Sequence, residues 1–243
     1  MSDYTGRRPR RAILCDLDDT LFDHAFATRQ ALARVLAGDP GCRDWPLDDV
    51  ERRHNEILDA IHPEVLAGRR TIERARIDRF TQLLAAFNGD ASEARAAVWA
   101  TAYRSAYELD WRPLPGAVAL LEAARGAGVP VAVVTNNLRR EQQLKLDRCG
   151  LTALVTSLVT SEEVGVAKPS AAIFEAALTR VGARAAEAVM LGDAWAADIA
   201  GARAAGIRAV WLNRRGLPSP DAAVEEISSL EPTADVLRKL LLH

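Results

Sequence analysis

The chain is poor in lysine and has no long apolar run. Its 31 basic residues include only three lysines, Lys145, Lys168 and Lys239, so a lysine at a functional position stands out from the arginine background. No apolar stretch approaches the ~20 residues that a membrane-spanning helix needs, and the N-terminus has no signal-peptide pattern. We therefore expect a cytoplasmic protein without membrane segments.

Cysteine is also scarce, and the three cysteines are far apart. Cys15, Cys42 and Cys149 form no Cys-x-x-Cys pair, which argues for a reducing compartment and against a structural zinc site. We interpret them as small packing residues. The histidines form no metal-binding cluster either, and we expect His54 and His62 to be polar positions on a helix.

The charge balance excludes another class of partner. Apolar residues make up 49% of the chain and charged residues 26%, as in ordinary globular proteins. The net charge of −2 gives no overall attraction to nucleic acids or anionic membranes. We expect neither as a partner, and we expect a monomer or a homodimer.

The first half of the chain has a helical pattern from about residue 24 to residue 110. Asp48 and Ser92 are candidate N-caps, and His62-Pro63 predicts the end of the second helix. The predicted helices lie near 25–37, 48–61, 70–88 and 92–109.

From Pro113 onwards, short apolar runs alternate with helical stretches, and Ala12–Cys15 is an isolated apolar run before the helical half. This alternation predicts an α/β fold, a doubly wound parallel Rossmann-like sheet with an inserted helical cap. Residues 1–22 and 111–243 would form the core and residues 23–110 the cap, placed as a lid above the active site. The predicted strands lie near 129–135, 154–159, 187–191 and 207–212, and a terminal helix spans 235–243 with Leu237, Leu240 and Leu241 facing inward.

Polar groups follow the predicted strands in a distinctive order. Two carboxylates, Asp16 and Asp18, follow the first strand, at the edge where open α/β sheets bind ligands. Three further groups follow along the chain: Thr135-Asn136-Asn137, Lys168-Pro169, and Gly192-Asp193 with Asp198 five residues after Asp193. Each of these three groups alone has an ordinary explanation, as a helix cap or an exposed lysine. Together with the pair Asp16 and Asp18 they make four groups, and a chance occurrence of all four in this order is improbable.

With these motifs the sequence resembles the haloacid dehalogenase superfamily, in the branch with a helical cap after the first motif. The resemblance covers essentially the whole chain, with sharp motifs in the core and only topology in the cap. It implies phosphoryl transfer through a covalent aspartyl phosphate, with Asp16 as nucleophile and Asp18 as acid and base. Mg²⁺ would be held by the Asp16 carboxylate, the backbone carbonyl of Asp18, and Asp193.

The resemblance also implies roles for the remaining motif residues. Thr135 and the amide of Asn136 would hold phosphoryl oxygens, with Asn137 beside them, and Lys168 would offset negative charge. Asp198 would support the site through water or by orienting Lys168. Asp19 has no implied catalytic role and is interpreted as structural in its turn.

Several members of this superfamily need to be weighed against one another. An acid at Asp18 favours oxygen leaving groups, whereas the true dehalogenases usually carry Tyr there. Residues 21–112 contain no lysine, which excludes the phosphonate-cleaving branch with its cap lysine. A phosphomutase resembling β-phosphoglucomutase stays open, because basic cap residues could grip a second phosphate. A non-catalytic phospho-receiver or regulator is the remaining, less favoured alternative.

We therefore predict an Mg²⁺-dependent phosphatase that acts on a small soluble phosphorylated metabolite. Among the arginines of the cap we select Arg76 as a candidate substrate-binding residue, although a solvated face on a helix is the simpler interpretation of the group. No cap motif is specific enough to distinguish a nucleotide, a sugar phosphate or a phospho-acid.

Overall fold

The apolar run Ala12–Cys15 forms β1, which lies between β2 and β4 in a six-stranded sheet. The computed structural model describes residues 11–242, so the last residue of the predicted terminal helix, His243, lies outside it. All strand pairs are parallel, in the order β3-β2-β1-β4-β5-β6. The strands are β1 Ala12–Cys15, β2 Val131–Thr135, β3 Ser157–Thr160, β4 Ala188–Gly192, β5 Arg208–Leu212 and β6 Glu225–Ile227.

The central strands are apolar on both sides because both faces of a parallel sheet are covered. Leu14 pairs with Ala132 on β2 and with Met190 on β4, and all three side chains are fully buried. Phe174 is equally buried in the same cluster. The predicted α/β class and its doubly wound parallel sheet are confirmed.

Helices fill the connections between the strands. A π-helical segment, Trp195–Ala200, leads directly into α9. The helices are α1 His24–Gly38, α2 Leu47–Leu66, α3 Ile72–Ala86, α4 Glu93–Leu109, α5 Ala117–Gly126, α6 Arg139–Arg148, α7 Ser161–Val164, α8 Ala171–Val181, α9 Gly201–Ala204 and α10 Thr233–Leu241.

The chain divides into two compact units. One comprises Met1–Asp23 with Pro113–His243 and contains the sheet, and we call it the core unit. The other comprises His24–Arg112 and is entirely helical in its regular elements, and we call it the helical unit. Among residues 11–242, no helix has the length and apolar character needed to cross a bilayer.

Three local predictions concern the ends of helices in the helical unit, and two of them were wrong. Helix α2 continues through Pro63 to Leu66, because Ile57, Ile61 and Val65 form one continuous buried stripe that outweighs the loss of one backbone donor. Asp48 is not the N-cap. The helix begins at Leu47, which places Asp48 in its first turn. The prediction for Ser92 is confirmed, since its hydroxyl accepts a hydrogen bond from the backbone N–H of Arg95.

Burial corrects two further predictions. His54 is completely buried within the helical unit, with its ring 5.1 Å from that of Tyr103 and 5.9 Å from that of Phe80, so it is a core residue. On α10 the fully buried positions are Val236 and Leu240, while Leu237 and Leu241 are only half-buried.

Candidate active site

The predicted catalytic groups come together at the carboxyl edge of the sheet. Asp16 follows β1, Thr135 ends β2 and Asp193 follows β4, while Lys168 precedes α8. Parallel strands carry their carboxyl ends to one edge, which explains how residues distant in sequence share one site.

Asp16 is held by the backbone of its neighbouring strand. Its N–H donates to the carbonyl of Leu191 on β4 at 2.9 Å, and its side chain is 10% exposed. The chain then turns sharply, with the N–H groups of Leu21 and Phe22 both donating to the carbonyl of Leu17. Asp19 occupies the left-handed region in this turn at φ 60°, a conformation that Asp tolerates better than most residues.

Lys168 connects two carboxylates at the centre of the site. Its Nζ donates to Asp16 Oδ1 at 2.6 Å, to Asp198 Oδ1 at 2.6 Å and to the carbonyl of Val134 at 2.7 Å. Burial acts to lower the pKa of Lys168, but the charges of Asp16 and Asp198 outweigh it and raise the pKa above its ordinary value. The ammonium group therefore stays charged and ties β1 to the segment after β4.

Asp198 is fully buried within the π-helical segment. Its Oδ2 accepts a hydrogen bond from the backbone N–H of Ala194 at 3.0 Å while Oδ1 faces Lys168. A side chain at Gly192 would collide with this carboxylate, so glycine is required where β4 ends. Asp198 thus fixes both the loop that carries Asp193 and the ammonium group of Lys168.

Three carboxylates converge closely enough to hold one metal ion. Asp16, Asp193 and Asp198 each offer an oxygen within 4.8 Å of the others. Burial raises the pKa of Asp193 to about 7, with Asp198 and Asp19 adding to the effect. Burial also raises the pKa of Asp16, although Lys168 opposes it. A hard cation would relieve this repulsion, and an all-oxygen donor set suits Mg²⁺, so the residues fit the predicted ion.

The turn after β2 supplies hydroxyl and amide groups. Thr135 is 2% exposed, and its Oγ1 accepts a hydrogen bond from Gln142 Nε2 at 2.6 Å. The side chain of Asn136 binds the backbone of Lys168 in both directions, accepting from its N–H at 2.7 Å and donating to its carbonyl at 2.9 Å. Asn137 accepts from the N–H of Leu138 at the start of α6.

Sequence reasoning missed two residues of this site, Gln142 and Lys145. Both lie on one face of α6, three residues apart, and both reach Asp18. Lys145 Nζ lies 2.5 Å from Asp18 Oδ1, and Gln142 Nε2 lies 2.9 Å from Asp18 Oδ2. The scarcity of lysine was a usable signal, because Lys145 is one of only three.

Arg76 lies on α3, in the helical unit, and is half-buried. Its neighbour Arg79 is packed over the rings of Phe80 and Tyr103, 5.5 and 5.4 Å from their centroids. The substrate-binding role of Arg76 stays a prediction.

The cysteines show no sign of a nucleophilic role. Cys15 and Cys42 are buried, and burial is the main reason that the pKa of each thiol is raised. Burial raises the pKa of Cys149 to about 11.

Comparison with known proteins gives one consistent result. A family model described as haloacid dehalogenase-like hydrolase matches residues 10–206. The chain is 34% identical to a ribulose-1,5-bisphosphate 5-phosphatase of Halopiger xanaduensis, over 82% of this chain and 83% of that protein. It is 31% identical to a glyceraldehyde 3-phosphate phosphatase of Methanothermobacter thermautotrophicus, over 84% of this chain and 85% of that protein.

A solved structure extends the similarity to nearly the full length. The putative HAD-hydrolase YfnB of Bacillus subtilis, bound to magnesium, superposes with a TM-score of 0.73 at 26% identity. The match covers 95% of this chain and 99% of that one.

Proposed function

The chain belongs to the haloacid dehalogenase-like hydrolases, and we propose that it hydrolyses a small phosphomonoester through a phosphoryl group carried on Asp16. The observation that supports this best is the buried arrangement of Asp16, Lys168 and Asp198, joined through Lys168 Nζ at 2.6 Å on each side. A carboxylate that is held by an ammonium group and lies beside further acids is a positioned nucleophile rather than a surface acid.

In the proposed first step, Asp16 attacks phosphorus in line with the leaving oxygen. One carboxylate oxygen of Asp16 forms the new P–O bond while the ester P–O bond breaks, and Asp18 gives its proton to the departing alkoxide. In the second step, Asp18 takes a proton from a water molecule as that water attacks phosphorus. The bond to Asp16 then breaks, which releases inorganic phosphate and restores the carboxylate.

The remaining residues stabilise charge during transfer. Thr135 accepts a hydrogen bond from Gln142, so its own hydroxyl proton can be donated to a phosphoryl oxygen. The backbone N–H of Asn136, with Asn137 beside it in the turn, would be a second donor. Lys168 offsets the charge on Asp16 and on the phosphoryl group.

A Mg²⁺ ion would be held by the carboxylates of Asp16 and Asp193 and by the backbone carbonyl of Asp18. When bound, it would neutralise negative charge on the phosphoryl oxygens and on the acids around them. The related YfnB structure is bound to magnesium, which supports the choice of ion.

The carboxyl group of Asp18 favours an oxygen leaving group, because it can protonate the departing oxygen. Its side chain is 27% exposed at the edge of the site, so a substrate oxygen can reach it. The names of the two aligned phosphatases suggest that sugar phosphates are the first substrates to test.

A panel of phosphorylated metabolites, assayed for phosphate release with Mg²⁺ or with EDTA, tests the proposal. We expect Mg²⁺-dependent release from at least one sugar phosphate or phospho-acid. Asp16→Asn should abolish it, whereas Asp147→Asn, which alters an exposed acid on α6, should not. A lack of phosphate release from every compound would contradict the proposal. Isomerisation of a sugar phosphate without net release would identify a mutase instead.

A further inference from the structure

Two residues of α6 contact Asp18 from the same side, and neither is part of the motifs that define the site. Lys145 Nζ faces Asp18 Oδ1 and Gln142 Nε2 faces Asp18 Oδ2, so both oxygens of the carboxylate are engaged. We infer that Gln142 and Lys145 are positioning residues that hold Asp18 at the angle needed for proton transfer to the leaving group. This inference rests on the proposed function and adds two residues to it.

Burial of the Lys145 ammonium group costs free energy, which its contact with Asp18 offsets. The lysine side chain is only 4% exposed, and a buried ammonium group loses most of its hydration. Its Nζ also lies 4.9 Å from the centroid of the Phe22 ring, which restricts where the ammonium can sit. Lys145 therefore presents a fixed positive charge to one oxygen of Asp18.

Gln142 connects Asp18 to the phosphate-binding side of the site. Its Nε2 lies 2.9 Å from Asp18 Oδ2 and 2.6 Å from Thr135 Oγ1, so one amide nitrogen serves both residues. When Asp18 is ionised its oxygens only accept hydrogen bonds, so in that state the amide nitrogen rather than the amide oxygen of Gln142 faces it. The same nitrogen then occupies a lone pair of Thr135 and leaves the hydroxyl proton for the phosphoryl group.

The two residues should therefore have separable effects. Lys145 acts through Asp18 alone, so its loss should lower kcat/KM only for substrates whose leaving oxygen needs a proton. The later hydrolysis of the phosphoryl enzyme is common to all esters and does not enter kcat/KM. Gln142 acts through both Asp18 and Thr135, so its loss should also weaken the binding of phosphate. A purely structural role would lower activity on every ester by the same factor.

The experiment compares two esters that differ in whether the leaving group needs a proton. The p-nitrophenolate group departs without a proton, whereas the alkoxide of benzyl phosphate requires one. Lys145→Met and Gln142→Met should each lower kcat/KM for benzyl phosphate at least about tenfold more than kcat/KM for p-nitrophenyl phosphate. Gln142→Met alone should also raise the inhibition constant of inorganic phosphate.

Matched controls come from the same chain. Gln143→Met alters the neighbouring glutamine, which hydrogen-bonds to Asp147, and Lys239→Met alters a lysine on α10 that donates to the carbonyl of Glu226. Neither should change the ratio of the two rates. Adding Lys145→Met to Asp18→Asn should leave the ratio of that variant unchanged, because Lys145 has no other route to the leaving group.

Urea unfolding checks that the variants fold, and Gln142→Leu, which is also uncharged, replaces Gln142→Met if the latter does not fold. Equal losses on both esters, or no loss on either, would overturn the inference while leaving the proposed function intact. If the wild-type protein released no phosphate from either ester or from the metabolite panel, the proposed function itself would fall, and this inference with it.

Discussion

Replacement of Lys168 by Met removes the positive charge at the centre of the site while keeping most of the side-chain volume. The lysine side chain is 2% exposed, and its Nζ satisfies Asp16, Asp198 and the carbonyl of Val134 together. The substitution leaves two buried carboxylates without their shared partner. We expect the metal-free protein to lose stability as well as activity.

The magnitude follows from the burial of the group. Removing one partner of a buried ion pair costs about 3–5 kcal/mol, because the remaining charge stays desolvated. Burial already raises the pKa of Asp16, and loss of Lys168 raises it further. A carboxyl with a raised pKa stabilises the folded state at low pH and loses that contribution as pH rises through the folded-state pKa. The deficit should therefore be largest at pH 8 and about 1–2 kcal/mol smaller at pH 5.

Urea unfolding of the metal-free protein in EDTA, at pH 8 and at pH 5, measures this deficit. Lys239→Met is the matched control and should change the free energy of unfolding by less than about 0.5 kcal/mol. Adding Asp198→Asn to Lys168→Met should recover part of the loss, because it removes one of the two facing charges. A deficit below about 1 kcal/mol at pH 8, or one that is equal at both pH values, would refute the reasoning.

Three further predictions concern single groups. Asp18→Asn should lower kcat/KM for benzyl phosphate by about 10²–10⁴-fold and kcat/KM for p-nitrophenyl phosphate much less, and equal losses would contradict its role as an acid. Asp193→Asn should abolish Mg²⁺-dependent activity. It should also raise the urea midpoint of the metal-free protein at pH 8, because the pKa of about 7 means that ionisation of Asp193 costs stability, and this advantage should shrink towards pH 4. Cys149, with a pKa of about 11, should react slowly with iodoacetamide at pH 8 in the folded protein and rapidly in urea.

The sheet was predictable because its strands are buried on both faces. Runs such as residues 131–134 are apolar throughout, and no amphipathic helix has that pattern at that length. The edge strand β6 was missed because Glu225 and Glu226 are exposed and carry no apolar signal. It pairs with β5 through backbone hydrogen bonds, which leave no trace in side-chain pattern.

The candidate site was only partly predictable for a related reason. Asp16, Thr135 and Asp193 each follow an apolar strand, so the sequence locates them at one sheet edge. Gln142 and Lys145 lie within a helix, and the residue that they contact is 124 and 127 positions away in the chain. Such contacts depend on how α6 packs beside the first loop, which no local spacing encodes.

The central claim, that the phosphoryl group is carried by Asp16, can be tested by trapping it. The protein is mixed with Mg²⁺ and p-nitrophenyl phosphate, quenched in acid and reduced with borohydride, which converts an aspartyl phosphate to homoserine. Mass spectrometry of the peptide that spans β1 should then show homoserine at position 16, and Asp16→Asn should show neither this product nor turnover. A phosphoryl group trapped on another residue, or turnover that persists in Asp16→Asn, would contradict the account.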